Sequence, residues 1–289
     1  MAFVARAPTR SLIAHLAGMR CFYDQMKCRA ILEKDEERCY VPPAERPDWM
    51  PIRDEHNFDI ATSKRFLRYP DLRARFSACP VPHEVAQSAK PLLVVHNKYN
   101  IEWGRGPINY IPLAALDKLF GELKSRYTVI YIRHGADAAQ GYSRDHNTAL
   151  MLDETEVLQR HPAVLSFDDL YRRSALRGQA GDFNTFKNAI YSRCYHFISS
   201  QGGGAHQIAL YSGSLIAILH REGRELEWAY SSGYYGFMAD PPPIRVICRD
   251  EHELEQVVPI FVNSRVVAGR VVVSEAGELL QRPTVNSSN

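Results

Sequence analysis

The stretch from Tyr195 to His220, YHFISSQGGGAHQIALYSGSLIAILH, limits the fold more than any other part of the chain. An apolar, β-branched and aromatic run at 195–199 meets three consecutive glycines, Gly202, Gly203 and Gly204. A short helical pattern follows at 205–211, and a second apolar run occupies 214–219. This order reads as strand, glycine turn, helix, strand, a βαβ unit whose two parallel strands need a crossover. At such a turn the backbone N–H groups are unpaired and the helix dipole is positive, so an anion can approach closely. A tight turn without a ligand is the alternative reading.

The surrounding pattern extends the unit. Further strands are expected at 92–95, 128–132, 163–166 and 245–248, with helices after most of them. The helix from Pro112 is the clearest, with Leu113, Leu116, Leu119, Phe120 and Leu123 at helical spacing. Others are expected near 154–160, from 167 with an aspartate cap, over 182–193, and from Asp250 with Glu253 three residues on. Strands alternating with helices at this density indicate a doubly wound, mostly parallel α/β sheet. Residues 1–90 are harder to read. Pro42, Pro43, Pro47 and Pro51 exclude a long helix there, short helices are plausible at 20–37 and 63–76, and 79–82 reads as a linker. The expected division is therefore an N-terminal domain over 1–88 and a sheet domain over 89–289.

Composition narrows the partners. A net charge of +2 supplies no broad field for nucleic acid, and no apolar run reaches membrane-spanning length. The first 23 residues are too short and too charged for a good signal peptide; they read as an amphipathic helix, with an organelle transit segment as the alternative. None of the six cysteines forms a C-x-x-C pair, so reduced thiols and a cytoplasmic location are expected, zinc or disulfide pairing among the four in the first 79 residues being the alternative.

Ligands of open parallel sheets bind at the carboxyl ends of the strands. The residues delivered there are His96, Asn97, Lys98, Tyr99, Asn100, Glu102 and Trp103 after the first strand, and Arg133 and His134 after the second. Phe167, Asp168 and Asp169 follow the third, and Ser199, Ser200, Gln201 and the glycines the fourth, with Ala205 and His206 in the helix beyond. Donors, a fixed positive charge and polar aromatics suit a phosphate-bearing, hydroxyl-rich ligand. Arg133 is equally open to a salt bridge, Tyr99 and Trp103 to interface packing, and His206 to a satisfied helix position. Neither G-x-G-x-x-G after the first strand nor G-x-x-x-x-G-K-[ST] occurs, which disfavours dinucleotide and P-loop chemistry.

The glycine turn, Arg133 and the Ser199–Gln201 sequence resemble the donor half of GT-B glycosyltransferases, including fucosyltransferase-type donor sites. The HNKYNIEW and YIRHG segments are similar to the small glycosyltransferases of large algal viruses, the chlorovirus xylosyltransferase type. The resemblance covers roughly 90–260. It implies two facing Rossmann-like α/β domains, with the diphosphate of a nucleotide sugar at Gln201–His206 and its base near Phe167–Asp169. It further implies transfer of a sugar, xylose in the viral type, from a UDP-linked donor to a glycan or glycoprotein acceptor, in the host cytoplasm if the chain is viral. A GDP-fucose-type reaction and a non-catalytic glycan- or nucleotide-sugar-binding module are the alternatives.

Cleaving a glycosyl–phosphate bond builds negative charge on the leaving diphosphate. The D-x-D pair common in metal-dependent enzymes of this kind is absent, so Arg133 and the helix start are expected to do this without metal or other cofactor. Inversion at the sugar requires a base for the acceptor hydroxyl. Asp54 is the candidate, with Asp59 and His56 next, all in the proline-rich N-terminal segment.

Overall fold

The computed structural model describes residues 71–102, 105–134, 150–178, 182–222 and 239–274. Asp54, His56, Asp59 and Trp103, the possible helix at 20–37, and most of the expected N-terminal domain lie outside them.

Six strands form one sheet: β1 (Leu92–Lys98), β2 (Thr128–His134), β3 (Leu165–Ser166), β4 (His196–Ser200), β5 (Leu215–Leu219) and β6 (Ile244–Cys248). Their order is β3-β2-β1-β4-β5-β6, and every neighbouring pair is parallel. The α/β architecture expected from sequence is therefore present. Direction reverses between β1 and β4, where Leu93–His96 pair with His196–Ser199. In doubly wound sheets this reversal opens a crevice beyond the strand ends.

Helices cover both faces, which explains why β1, β4 and β5 read as unbroken buried runs without alternation. On one face Leu92, Val94, Phe197 and Ile216 pack with α1 (Leu72–Ser77), α2 (His83–Ala86), α5 (Phe167–Arg172), α6 (Asp182–Arg193) and α7 (Gly203–Ile208). On the other, Leu93, Val95, Ile198 and Ala217 pack with α3 (Leu113–Leu123), α4 (Thr155–Arg160), α8 (Glu251–Gln256) and α9 (Val258–Val262). The apolar stripe of α3 is the one its spacing predicts, with Ala115, Leu116, Leu119, Phe120 and Leu123 buried. A hairpin, β7 (Ser264–Val267) and β8 (Arg270–Val273), closes the described chain.

Several local expectations are corrected. The segment 79–82 is not a free linker, because Cys79 and Val81 pack against the core. Leu72 and Phe76 of α1 belong to that same core. The cap of α5 is Ser166, whose Oγ accepts from the Asp169 N–H, and the aspartates occupy the first turn instead. At α8 Asp250 does cap, accepting from the Glu253 N–H at 2.7 Å, while the Glu253 carboxylate reaches back to the Arg249 N–H at 2.7 Å. Cys79, Cys194 and Cys248 are free thiols.

Candidate functional site

β1 and β4 end side by side at the reversal, and the glycine turn lies directly beyond β4. The three glycines have three different duties. Gly202 is the N-cap of α7 with φ 119° and ψ −157°, a conformation that side chains with a Cβ rarely adopt. Gly203 is exposed and faces open space, with nothing within 4 Å of where a Cβ would stand. Gly204 is buried against the His96 imidazole, whose Cε1 would lie 2.1 Å from an added Cβ. Backbone freedom is therefore needed at the first glycine and close packing at the third. Ala205, next in the helix, is fully buried as well. The sequence placed the helix start at Ala205, but glycines 203 and 204 already have helical geometry and need no side chain to hold it. Six residues make α7 short, so its positive end reduces to the N–H groups of its first turn.

One buried carboxylate joins the two strand ends. Glu102, 2 % exposed, follows β1 in the loop toward α3. Its Oε2 accepts from Lys98 Nζ at 3.1 Å, Asn109 Nδ2 at 3.1 Å and Gln201 Nε2 at 3.2 Å. Its Oε1 accepts from the Asn109 N–H at 3.0 Å. Burial alone would push this carboxyl up, but the Lys98 charge and the Asn109 bonds outweigh it and hold it below the usual carboxylate range. Lys98 lies over the turn, since its Nζ would be 3.4 Å from a Cβ on Gly202. Asn109 in turn receives the Arg221 N–H at 2.8 Å, so the loop is fastened to the end of β5.

The remaining predicted residues are distributed along the same edge. Asn97 is an internal brace: its Oδ1 accepts from the Ile111 and Lys98 N–H groups, and its Nδ2 donates to the Ile111 carbonyl. Tyr99 packs edge-on against Tyr110 at 4.9 Å between ring centres. Ser200 is fully buried at the last position of β4, and its Oγ has no hydrogen-bond partner among the described residues. Arg133 stands beside Asn97 in register, and its Nε donates to Glu154, so the salt-bridge reading of this arginine is met. The pair is nearly buried, with 6 % and 11 % of the side chains exposed. Arg133 Nη1 is buried without a partner among the described residues.

Phe167 is placed differently from expectation. Its ring is 1 % exposed and packs against Phe183 and Phe186 at 5.5 and 5.2 Å, so it is core and offers no face to a base. Asp168 is half-buried in the first turn of α5. His134 closes β2 and His206 lies within α7; the side chains of both fall outside the described part.

The residues that sequence reasoning misses are Glu154, Asn109 and Arg221, whereas Glu102 is expected among the residues that follow β1 but without a distinct role. The spacing of Lys98 and Glu102 is the one signal that was available. Nothing local marks Glu154, whose partner Arg133 lies 21 positions away, and Asn109 meets Glu102 within one loop but Arg221 only through the sheet. Among the described residues no group of three His, Cys, Asp or Glu side chains is gathered as for a metal ion, and no helix is long and apolar enough to cross a membrane. Comparison with known proteins finds no matching family, curated protein or solved structure.

Proposed function

We propose that this chain binds a nucleoside diphosphate sugar at the β1/β4 reversal and transfers its sugar to a glycan hydroxyl, with UDP as the carrier, by inversion and without metal. The observation that carries the reading is the position of Lys98 and the glycine turn together at the topological switch point, the place where doubly wound sheets hold phosphorylated ligands. Exposed Gly203, the first-turn N–H groups and the Lys98 ammonium form one polar lip there. Arg133, with its unpartnered Nη1 two strands away from β4, is the cation assigned to the developing charge of the leaving diphosphate. A two-domain GT-B arrangement, with Asp54 as the acceptor's base, belongs to this proposal.

One observation favours the non-catalytic alternative. Glu102 and Glu154, the buried carboxylates at this edge, are both engaged in ion pairs. Neither of these two carboxylates is free to serve as the acceptor's base, and if no other residue supplies one, the site only binds.

Calorimetry with UDP and with uridine, together with release of UDP from UDP-sugars, tests both readings. The expected result is that wild type binds UDP more tightly than uridine and releases UDP in the presence of chelator. Gly203→Val should fold normally, because its Cβ meets open space, and should lose UDP affinity at least tenfold with little change for uridine. Equal UDP affinity in Gly203→Val overturns the assignment of the turn, and binding without turnover selects the binding module.

A further inference from the structure

We infer that Glu102 is a positioning residue, which holds the Lys98 ammonium over the glycine turn so that an incoming diphosphate meets a cation already in place. The inference rests on the proposal that the β1/β4 crevice takes a diphosphate, and it adds the group that prepares the crevice for it.

Geometry separates Glu102 from an ordinary ion-pair partner. Lys98 and Glu102 are 3.1 Å apart with side chains 16 % and 3 % exposed, so the lysine side chain keeps some contact with solvent and the glutamate almost none. The carboxylate has three other donors, the Asn109 N–H, Asn109 Nδ2 and Gln201 Nε2. It therefore remains hydrogen-bonded when Lys98 turns part of its ammonium toward an anion. A buried carboxylate whose only partner was the lysine would resist that sharing, because an unpaired buried charge is costly. Here the lysine is shared at small expense to the interior.

The same network supplies rigidity. A free lysine side chain loses considerable rotamer freedom when it is fixed on a ligand. Glu102 imposes much of that order before binding, which is how preorganisation raises affinity. Its anchors come from separate elements: Gln201 opens the glycine turn, and Asn109 is fastened to the end of β5 through Arg221 and Glu222. One carboxylate thus sets the lysine relative to the turn. Its negative charge also repels an anion, and the three additional N–H donors moderate that repulsion.

The test is a double-mutant cycle on the full chain, read by calorimetry with inorganic pyrophosphate, UDP and uridine, with circular dichroism and melting curves as fold controls. Lys98→Met and Glu102→Gln are each expected to weaken pyrophosphate and UDP at least tenfold and to leave any uridine binding unchanged. The double variant should be no weaker than Lys98→Met alone, since Glu102 acts through Lys98. Glu102→Asp keeps the charge but withdraws it by one methylene, and its loss should be intermediate; it carries the test if Glu102→Gln does not fold. Pyrophosphate bound as well or better by folded Glu102→Gln overturns the inference, as do additive losses in the double variant. Pyrophosphate binding that follows the cycle without any UDP binding leaves the inference standing and removes the nucleotide reading. UDP binding indifferent to Glu102 does the reverse, and a wild type that binds neither probe overturns both.

Discussion

A Cβ on Gly204 would stand 2.1 Å from Cε1 of His96, whereas one on Gly203 meets nothing within 4 Å. These adjacent positions therefore separate structure from binding. Gly204→Ala forces either the His96 ring or the start of α7 to move, and overpacking of this kind costs on the order of 1–3 kcal/mol. His96 is 2 % exposed, so the ring has little room to retreat. Gly203→Ala should unfold within about 0.5 kcal/mol of wild type, as surface substitutions do. Urea denaturation of the two variants checks this. Equal stability would mean that His96 does not pack on the turn.

Helices α1 and α6 terminate each other, and neither end could be satisfied alone. Arg73 of α1 donates from Nη1 to the carbonyls of Ser192 and Cys194 at 3.1 and 2.7 Å, and from Nε to Ser212 at 2.9 Å. Its Nη2 donates to Ser214 Oγ at 2.6 Å, and its guanidinium lies 3.7 Å over the Tyr195 ring. Arg193 of α6 donates in return to the carbonyls of Ser77 and Cys79 behind α1. A six-residue helix has no independent stability, so this exchange and the burial of Leu72 and Phe76 hold α1 in place. Arg73→Met leaves several buried carbonyls unpaired and should destabilise the protein by about 3 kcal/mol or more. Arg73→Lys should recover little of that loss, because an ammonium cannot present the planar fork these acceptors meet. Full recovery by lysine in denaturant titrations would show that charge alone suffices.

At the scale of the whole molecule, two buried bases make stability depend on pH in separate windows. Burial, followed by the charges of Arg126 and Arg73, lowers His196 from 6.5 to about 4. Burial lowers Lys187 from 10.5 to about 8. Both folded values lie below the unfolded ones, so the unfolded chain binds more protons and stability falls as pH falls. For His196 the loss runs from about pH 6.5 down to 4, and for Lys187 from about 10.5 down to 8, each on the order of 3 kcal/mol. Below pH 8 the fold therefore carries a charged lysine that is only 2 % exposed. Lys187→Met, close in volume, should raise the melting temperature at pH 7 and flatten the profile between 8 and 10.5. A lower melting temperature at pH 7 would mean that Lys187 makes a stabilising contact in its charged form.

The amino-acid sequence by itself determined the elements of the sheet, because strands buried on both faces must be continuously apolar and a helix facing a core must repeat its apolar residues. Leu92–Val95, Thr128–Ile132 and the stripe of α3 were legible for that reason. The hairpin β7–β8 was not, since its turn places Ala268 and Gly269 at positive φ, 48° and 74°, and alanine is not a residue that announces such a turn. The glycine turn was legible as a place where an anion could approach. Only the tertiary structure decided which glycine needs positive φ, that Phe167 faces the core, and that Arg133 is paired with Glu154. It alone set β4 beside β1 and so brought Gln201 to Glu102, residues 99 positions apart. Local sequence carries the preferences of each segment, but the neighbours of a strand end are chosen by the packing of all the strands at once.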